Sequence, residues 1–212
     1  MKYADIKKYD IANGPGVRVS FFASGCKHAC PGCFNAEARD FNYGKEFCQA
    51  TVDEVIEAMK PHYISGLTLL GGEPLAPENQ PMIWELIHQV RLTFGGFKSI
   101  RCFSGFTYEF IEKYMVPRLP YTDNILSNAD VLVDGKWVEK LKNLNLRFRG
   151  SSNQRVIDLQ RTRRTGEIVR ALGEVEKNKF IQEPLITAEH FQNREKKIIA
   201  EPVLEKEVAL AM

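Results

Sequence analysis

The chain has 212 residues, which is enough for one hydrophobic core with a small appendage but not for two full domains. Its residues are 44% hydrophobic and 26% charged with a net charge of +2, a balance that points to a globular protein with neither a nucleic acid nor a membrane as partner. The first residues lack the apolar run of a signal peptide, and no stretch reaches membrane-spanning length.

The first predicted element is a β-strand at residues 17–23, an apolar run of β-branched and aromatic residues. It leads directly into a loop that carries Cys26, Cys30 and Cys33 in the spacing C-x3-C-x2-C. A structural zinc site closes its coordination sphere with four ligands, whereas three thiolates around a four-iron cluster leave one iron open. The spacing therefore predicts a 4Fe–4S cluster rather than a zinc site, although zinc with His28 or a remote fourth ligand remains the alternative.

The chain contains five cysteines, an odd number, and three of them belong to this loop. This usage is typical of reduced thiols in the cytosol rather than of a disulfide framework, so we expect a cytoplasmic protein. Cys48 and Cys102 have no partners at ligand spacing, and we interpret both as hydrophobic core residues.

The remaining elements alternate between strands and helices. The capping-box pattern from Thr51 to Glu54 begins a helix that ends before Pro61, and apolar residues at helical spacing predict a second helix that ends near Gly95. Strands are predicted at residues 67–70, 100–103 and 129–133, with a short helix at residues 106–114. This alternation predicts an α/β fold of βαβ units with parallel strands and right-handed crossovers.

Each predicted strand ends in small or polar residues. The second strand ends at Gly71-Gly72-Glu73-Pro74, the third at Ser104-Gly105 and the fourth at Asp134-Gly135. Ligands of parallel α/β proteins bind at the carboxyl ends of the strands. We therefore expect these motifs and the cysteine loop to form one site.

The character of the chain changes after this core. We divide it into a core at residues 1–157 and a charged C-terminal extension at residues 158–212, in which both signs of charge are mixed and aromatic residues are few. The composition predicts that the extension is helical or partly disordered.

The cysteine loop together with Gly71-Gly72-Glu73-Pro74 resembles the radical S-adenosylmethionine (SAM) superfamily. Within it, residues 1–157 resemble the anaerobic ribonucleoside-triphosphate reductase activators, which are small glycyl-radical activases. The closer resemblance is carried by Asn13-Gly14-Pro15-Gly16-Val17-Arg18, by His28 and Asn35 beside the cysteines, and by Gly150-Ser151-Ser152-Asn153-Gln154-Arg155.

The resemblance implies an incomplete parallel (β/α) barrel of the radical SAM type and one 4Fe–4S cluster held by Cys26, Cys30 and Cys33. It implies that SAM binds the open iron, is reductively cleaved, and yields a glycyl radical on the reductase. The electron would come from a one-electron donor such as flavodoxin, and no catalytic residue beyond the cluster ligands is required. The implied SAM-binding residues are Gly32, Cys33, Phe34, Gly71, Gly72, Glu73, Ser104 and Asp134.

The chain departs from the superfamily pattern at one position. Many radical SAM proteins have an aromatic residue immediately before the third cysteine, but here that position is Gly32 and the aromatic Phe34 follows Cys33. Phe34 is therefore our candidate for the contact with adenine.

Other interpretations remain open for several of these residues. Glu73 either contacts SAM or orients the backbone, Ser104 is either a ligand contact or a helix cap, and Asp134-Gly135 is also an ordinary turn. Arg155 either recognises a partner or a carboxylate, or belongs to a solvated basic edge.

Other functions also remain open. One is an activase of another glycyl-radical enzyme such as pyruvate formate-lyase, although the short core and the segment at residues 150–155 argue against it. Another is a zinc-binding adaptor without enzyme activity. A simple electron carrier is disfavoured, because ferredoxin-type clusters use a fourth protein thiolate.

Overall fold

The structure is a computed structural model that describes residues 1–171 of the chain. These residues form a mixed α/β fold around one sheet with the strand order β3-β1-β2-β4-β5-β6-β7. The strands are β1 (Lys2–Asp10), β2 (Val17–Ala23), β3 (Lys45–Glu46), β4 (Ile64–Gly71), β5 (Ser99–Ser104), β6 (Val131–Asp134) and β7 (Arg155–Asp158). The α-helices are α1 (Gln49–Met59), α2 (Gln80–Phe94), α3 (Tyr108–Phe110), which continues as a π-turn at Ile111–Met115, α4 (Thr122–Asn128) and α5 (Leu159–Thr165).

The middle of the sheet is parallel, and its edges are antiparallel. Strands β2, β4, β5 and β6 run in one direction, while β1 and β3 flank them on one side and β7 on the other. The four strands predicted from the sequence are these four parallel strands, so the predicted α/β alternation is confirmed. The prediction for the last of them begins too early, because Ala129 is the C-cap of α4. Curvature of the sheet into an incomplete barrel stays a prediction.

The sequence reading missed all three antiparallel strands. Strand β1 has little apolar content, and only Tyr3 and Asp10 are buried in it. Strand β3 has two residues, and β7 has four residues at the end of a polar segment. None of these strands carries the apolar run that identifies a strand in the middle of a parallel sheet.

Buried Arg18 ties three of the parallel strands together. Its guanidinium donates to Thr68 Oγ1 at 2.7 Å and to Leu67 O at 2.7 Å on β4, and to Ser99 Oγ at 2.9 Å on β5. Because each nitrogen of its guanidinium has an acceptor, Arg18 is tolerated in the interior. The arginine of the Asn13–Arg18 motif therefore fixes the parallel strands near their amino-terminal ends, at the opposite end from the site.

Helices α1 and α2 cover the sheet with their apolar faces, where Val55, Met59, Ile83 and Leu86 are fully buried. Helix α1 begins earlier than the predicted capping box, because Cys48 is its N-cap and pairs with Thr51. Cys48 is exposed, so its assignment to the core was wrong, whereas Cys102 is buried as predicted.

The packed chain continues beyond β7. Leu159 on α5 is fully buried in the core, and the side chain of Asp158 caps this helix by accepting from Arg161 N at 2.8 Å. The prediction for the extension falls outside the described residues from residue 172 onwards. Within residues 1–171, no helix combines the length and the hydropathy of a membrane span.

Candidate functional site

The cysteine loop leaves the carboxyl end of β2 and is held by the segment that follows it. Gly25 N donates to Ala38 O at 2.8 Å, and Cys26 N donates to Arg39 O at 3.0 Å. All three cysteines of the loop are free thiols and partly buried. The loop therefore presents its thiols at the sheet edge where the other strand-end motifs lie.

The surroundings of the thiols favour their neutral form until a cation binds. Burial raises the pKa of Cys26 to about 11, with a smaller contribution from the negative charge of Glu73. Burial also raises the pKa of Cys30. The backbone amides of His28 and Trp137 lie close enough to Cys26 and Cys30, respectively, to offset part of this rise in pKa. Metal binding deprotonates thiol ligands.

Within residues 1–171, no group of three or more His, Cys, Asp or Glu side chains is arranged to hold a metal ion. The thiolates of a 4Fe–4S cluster bind different irons, so they stand farther apart than ligands that share one ion. Three soft thiols on one partly buried loop, two of them near backbone amides that favour the thiolate, fit a cluster. The assignment of all three as ligands stays a prediction.

The Gly-Gly turn after β4 packs against the start of the cysteine loop. Gly71 has φ +105°, and a Cβ there would lie 2.7 Å from Ala23 O. A Cβ at Gly72 would lie 2.5 Å from Gly25 O. Gly72 N also donates to Ala23 O at 2.7 Å. Both glycines are therefore required by close approach of two backbones, and the SAM contacts predicted for them remain untested.

Glu73 connects three loops of the site, and we call its contacts the Glu73 clamp. Its Oε1 accepts from Leu75 N at 2.9 Å, and its Oε2 accepts from Gly105 N at 2.7 Å and lies 2.9 Å from His28 Nε2. Glu73 is 2% exposed, and the ring of His28 lies edge-on to Phe106 at 4.4 Å between centroids. These contacts favour the interpretation that Glu73 orients the backbone.

A cavity of about 480 Å³ opens between the cysteine loop and the ends of β5 and β6. That volume suits a small organic ligand or cofactor. It is lined by His28, Gly105, Phe106, Thr107, Phe110, Asp134, Gly135, Lys136, Asn153 and Arg155. The rings of Phe106 and Phe110 stack at 5.2 Å, so the cavity has an aromatic wall beside a polar one.

Two predicted SAM-binding residues already have protein partners: Asp134, which lines this cavity, and Ser104 at the end of β5. Asp134 is fully buried and accepts from Tyr108 N at 2.8 Å and from Arg155 Nε at 2.9 Å. Ser104 Oγ accepts from Phe106 N at 3.1 Å, as in a turn. Their direct contact with SAM stays a prediction, while their visible role is to shape the strand ends.

Arg155 joins Asp134 to Glu109 on α3. It donates to Glu109 Oε1 at 2.8 Å, and this hydrogen bond lowers the pKa of Glu109 to about 2. The same segment is held by Gln154, whose Oε1 accepts from Gly150 N at 2.9 Å. The motif at residues 150–155 thus builds the polar wall of the cavity, which favours carboxylate recognition for Arg155.

Gly32 and Phe34 lie on the outer side of the cysteine loop. Gly32 has φ +65°, and a Cβ there would lie 2.7 Å from the Glu139 carboxyl group. Phe34 is 68% exposed and packs against Trp137 at 4.8 Å between ring centroids. Neither residue lines the cavity, so their predicted SAM contacts, including the adenine contact of Phe34, remain untested.

The structure adds residues that the sequence reading did not place in the site. The His28 side chain is only 5% exposed because it belongs to the Glu73 clamp. Lys136 and Asn153 line the cavity, and Asn153 Nδ2 donates to Lys136 O at 2.8 Å. In the sequence, Lys136 directly follows the Asp134-Gly135 strand end, and Asn153 belongs to the motif at residues 150–155. Only the fold brings these two segments together.

Comparisons with known proteins cover most of this chain. Residues 12–157 match the family model of the 4Fe-4S single cluster domain. The Escherichia coli K12 protein named anaerobic ribonucleoside-triphosphate reductase-activating protein is 38% identical over 162 residues, which is 76% of this chain and 100% of that protein.

Two further proteins with the same name give similar matches. The protein from Enterobacteria phage T4 is 37% identical over 156 residues, covering 74% of this chain and 93% of its own length. The protein from Vibrio cholerae is 35% identical over 156 residues, covering 73% and 96%, respectively.

Proposed function

We propose a function on the premise that the comparisons establish: the chain belongs to the family of anaerobic ribonucleoside-triphosphate reductase-activating proteins and contains its 4Fe–4S domain. The proposed function is activation of the anaerobic (class III) reductase by reductive cleavage of SAM, which generates a glycyl radical on the reductase. The observation that carries it is the position of the three-cysteine loop beside a ligand-sized cavity, joined to the Gly-Gly-Glu turn by the Glu73 clamp.

Cys26, Cys30 and Cys33 would hold the cluster. When bound, a 4Fe–4S cluster with one open iron supplies the electron that splits SAM into methionine and a 5′-deoxyadenosyl radical, which takes a hydrogen atom from a glycine of the reductase. The backbone N–H groups of His28 and Trp137 would stabilise the thiolate charge at two of the ligands.

The chain's own residues bind and position SAM. The backbone of Gly71-Gly72, which packs against the cysteine loop, would bind the amino group of SAM. Phe106 and Phe110 give the cavity an apolar wall that suits an adenosine. Lys136 on the opposite wall supplies a positive charge that suits the carboxylate of SAM.

The electron would come from a one-electron donor protein such as flavodoxin. We place the reaction in the cytoplasm, because all five cysteines of the chain are free thiols and a cluster with an open iron requires a reducing compartment.

The test is anaerobic incubation of the reconstituted protein with SAM, dithionite and the reductase. We expect 5′-deoxyadenosine as a product and the doublet of a glycyl radical in the electron paramagnetic resonance (EPR) spectrum. Cys30→Ala abolishes both, whereas Cys48→Ser, at the exposed N-cap of α1, retains both. A glycyl-radical doublet that persists in Cys30→Ala contradicts the ligand assignment, and the absence of SAM cleavage by a protein loaded with its cluster contradicts the function.

A further inference from the structure

The connection between β6 and β7 is unusually basic. We call residues 136–149 the basic lobe, because it contains five basic residues and one acidic residue. The basic residues are Lys136, Lys140, Lys142, Arg147 and Arg149, and the acidic residue is Glu139. The whole chain has a net charge of only +2, so this charge is a local feature of one surface.

The basic lobe also exposes large apolar side chains. Leu144 is 87% exposed, and Val138, the N-cap of the short helical turn Glu139–Leu141, and Leu141, its last residue, are also exposed. Apolar side chains inside a ring of one charge are the usual composition of a site that binds a protein partner of opposite charge. The lobe therefore suits an acidic protein.

The basic lobe lies directly against the outer side of the cysteine loop. The ring of Trp137 packs against that of Phe34, the residue after Cys33, and the backbone of Trp137 lies close to the Cys30 thiol. Lys142 Nζ lies 5.3 Å from the centroid of the Phe34 ring. A protein docked on this lobe is thus separated from the ligand loop by about one layer of side chains.

We propose that the basic lobe, together with Phe34, is the docking surface for an acidic one-electron-donor protein. The inference rests on the proposed function, since it needs a cluster in the cysteine loop. In the proposed step the reduced donor loses one electron to the cluster and is oxidised, and no covalent bond forms or breaks. Because electron transfer requires only close approach, a surface that covers the ligand loop without entering the cavity is sufficient.

The position of the lobe favours the donor over the reductase as the occupant. The reductase has to deliver a glycine to the cavity, which is lined by the ends of β5 and β6 and by residues 153–155. Of the lobe, only Lys136 lines that cavity, while Leu141, Lys142 and Leu144 do not. The two partners would then approach the site from different sides.

The experiment compares two charge-reversal variants of the full chain after cluster reconstitution. Lys140→Glu/Lys142→Glu reverses charge on the lobe, and Lys45→Glu/Arg164→Glu reverses the same number of exposed charges elsewhere. Stopped-flow absorbance follows cluster reduction by reduced flavodoxin, which serves as the acidic donor, and separately by photoreduced deazaflavin, a small neutral reductant. Binding of each variant to the reductase is measured in parallel.

We expect the lobe variant to be reduced by flavodoxin at least about tenfold more slowly at low salt, with the difference shrinking as salt screens the charges. Its reduction by deazaflavin and its binding to the reductase stay as in the unsubstituted chain, as do all rates of the control variant. An unchanged flavodoxin rate, an equal loss in the control, or weakened reductase binding by the lobe variant overturns the proposal. Failure of the proposed function is distinguishable, because it appears as absence of SAM cleavage after deazaflavin reduction of the unsubstituted chain.

Discussion

Substitution of Glu73 by glutamine tests whether the Glu73 clamp holds the site together. The carboxylate has three donors or partners on its two oxygens, namely Leu75 N on Oε1 and both Gly105 N and His28 Nε2 on Oε2. The side-chain amide of glutamine has one oxygen and one NH2 group in place of the two carboxylate oxygens. Its NH2 group therefore has to face one of the backbone N–H groups that Glu73 accepts from, either that of Leu75 or that of Gly105. One buried backbone donor is then left without an acceptor.

The expected cost follows from these contacts. An unsatisfied buried donor costs about 1–3 kcal/mol, and loss of the charge weakens the remaining hydrogen bonds by about 1 kcal/mol in total. We expect Glu73→Gln to lower the free energy of unfolding by about 3 kcal/mol, which a domain with about 5–15 kcal/mol of stability survives. Anaerobic urea unfolding, followed by tryptophan fluorescence, measures this difference.

A control in the same region separates the clamp from general charge effects. Glu78→Gln removes an exposed ion pair with Lys27, 2.6 Å long, and should change the free energy of unfolding by less than about 1 kcal/mol. Glu73→Gln should also reduce the iron retained after reconstitution, since His28 belongs to the cysteine loop. If Glu73→Gln unfolds at the same urea concentration as Glu78→Gln and binds the same amount of iron, the reasoning about the clamp is refuted.

Three further predictions concern separate contacts. Gly72→Ala should lower the free energy of unfolding by about 1–3 kcal/mol, since its Cβ would lie 2.5 Å from the backbone oxygen of Gly25. Equal urea midpoints for this variant and the unsubstituted chain would contradict the close approach. The ion pair of Glu109 with Arg155 lowers the pKa of Glu109 from 4.5 to about 2, so it stabilises the fold above pH 4.5 and is lost as the pH falls towards 2. Because Glu109 is largely exposed, Glu109→Gln should lower the free energy of unfolding by only about 1 kcal/mol at pH 7. The variant should also lose less stability than the unsubstituted chain as the pH falls from 4.5 towards 2, and an equal loss would contradict the pairing. Cys102→Ser places a hydroxyl in the fully buried core and should lower the free energy of unfolding by about 1–3 kcal/mol, measured by urea unfolding. The variant should retain its full iron content, and a loss of iron would show that this cysteine serves the cluster.

The parallel centre of the fold was predictable from the sequence. Strands β2 and β4 are rich in apolar residues because both of their faces are buried, and helix α2 shows apolar residues at helical spacing. The antiparallel strands β1 and β7 carry no such pattern, because neither is a run of apolar residues.

The candidate site was predictable as a set of motifs but not as a set of contacts. The cysteine spacing and the Gly-Gly-Glu turn are local patterns, so the sequence shows them directly. The meeting of His28 with Glu73 joins residues 45 positions apart, and that of Arg155 with Asp134 joins residues 21 apart. Only the order of the strands brings these pairs together, so the ends of β4 and β6 had to be placed first.

The most direct test of the account is Mössbauer spectroscopy of the reconstituted protein labelled with ⁵⁷Fe, recorded before and after addition of SAM. The account predicts a 4Fe–4S cluster in which one iron site differs from the three that are bound by cysteine, and it predicts that SAM shifts the spectrum of that one site alone. Four equivalent iron sites that do not respond to SAM would contradict it.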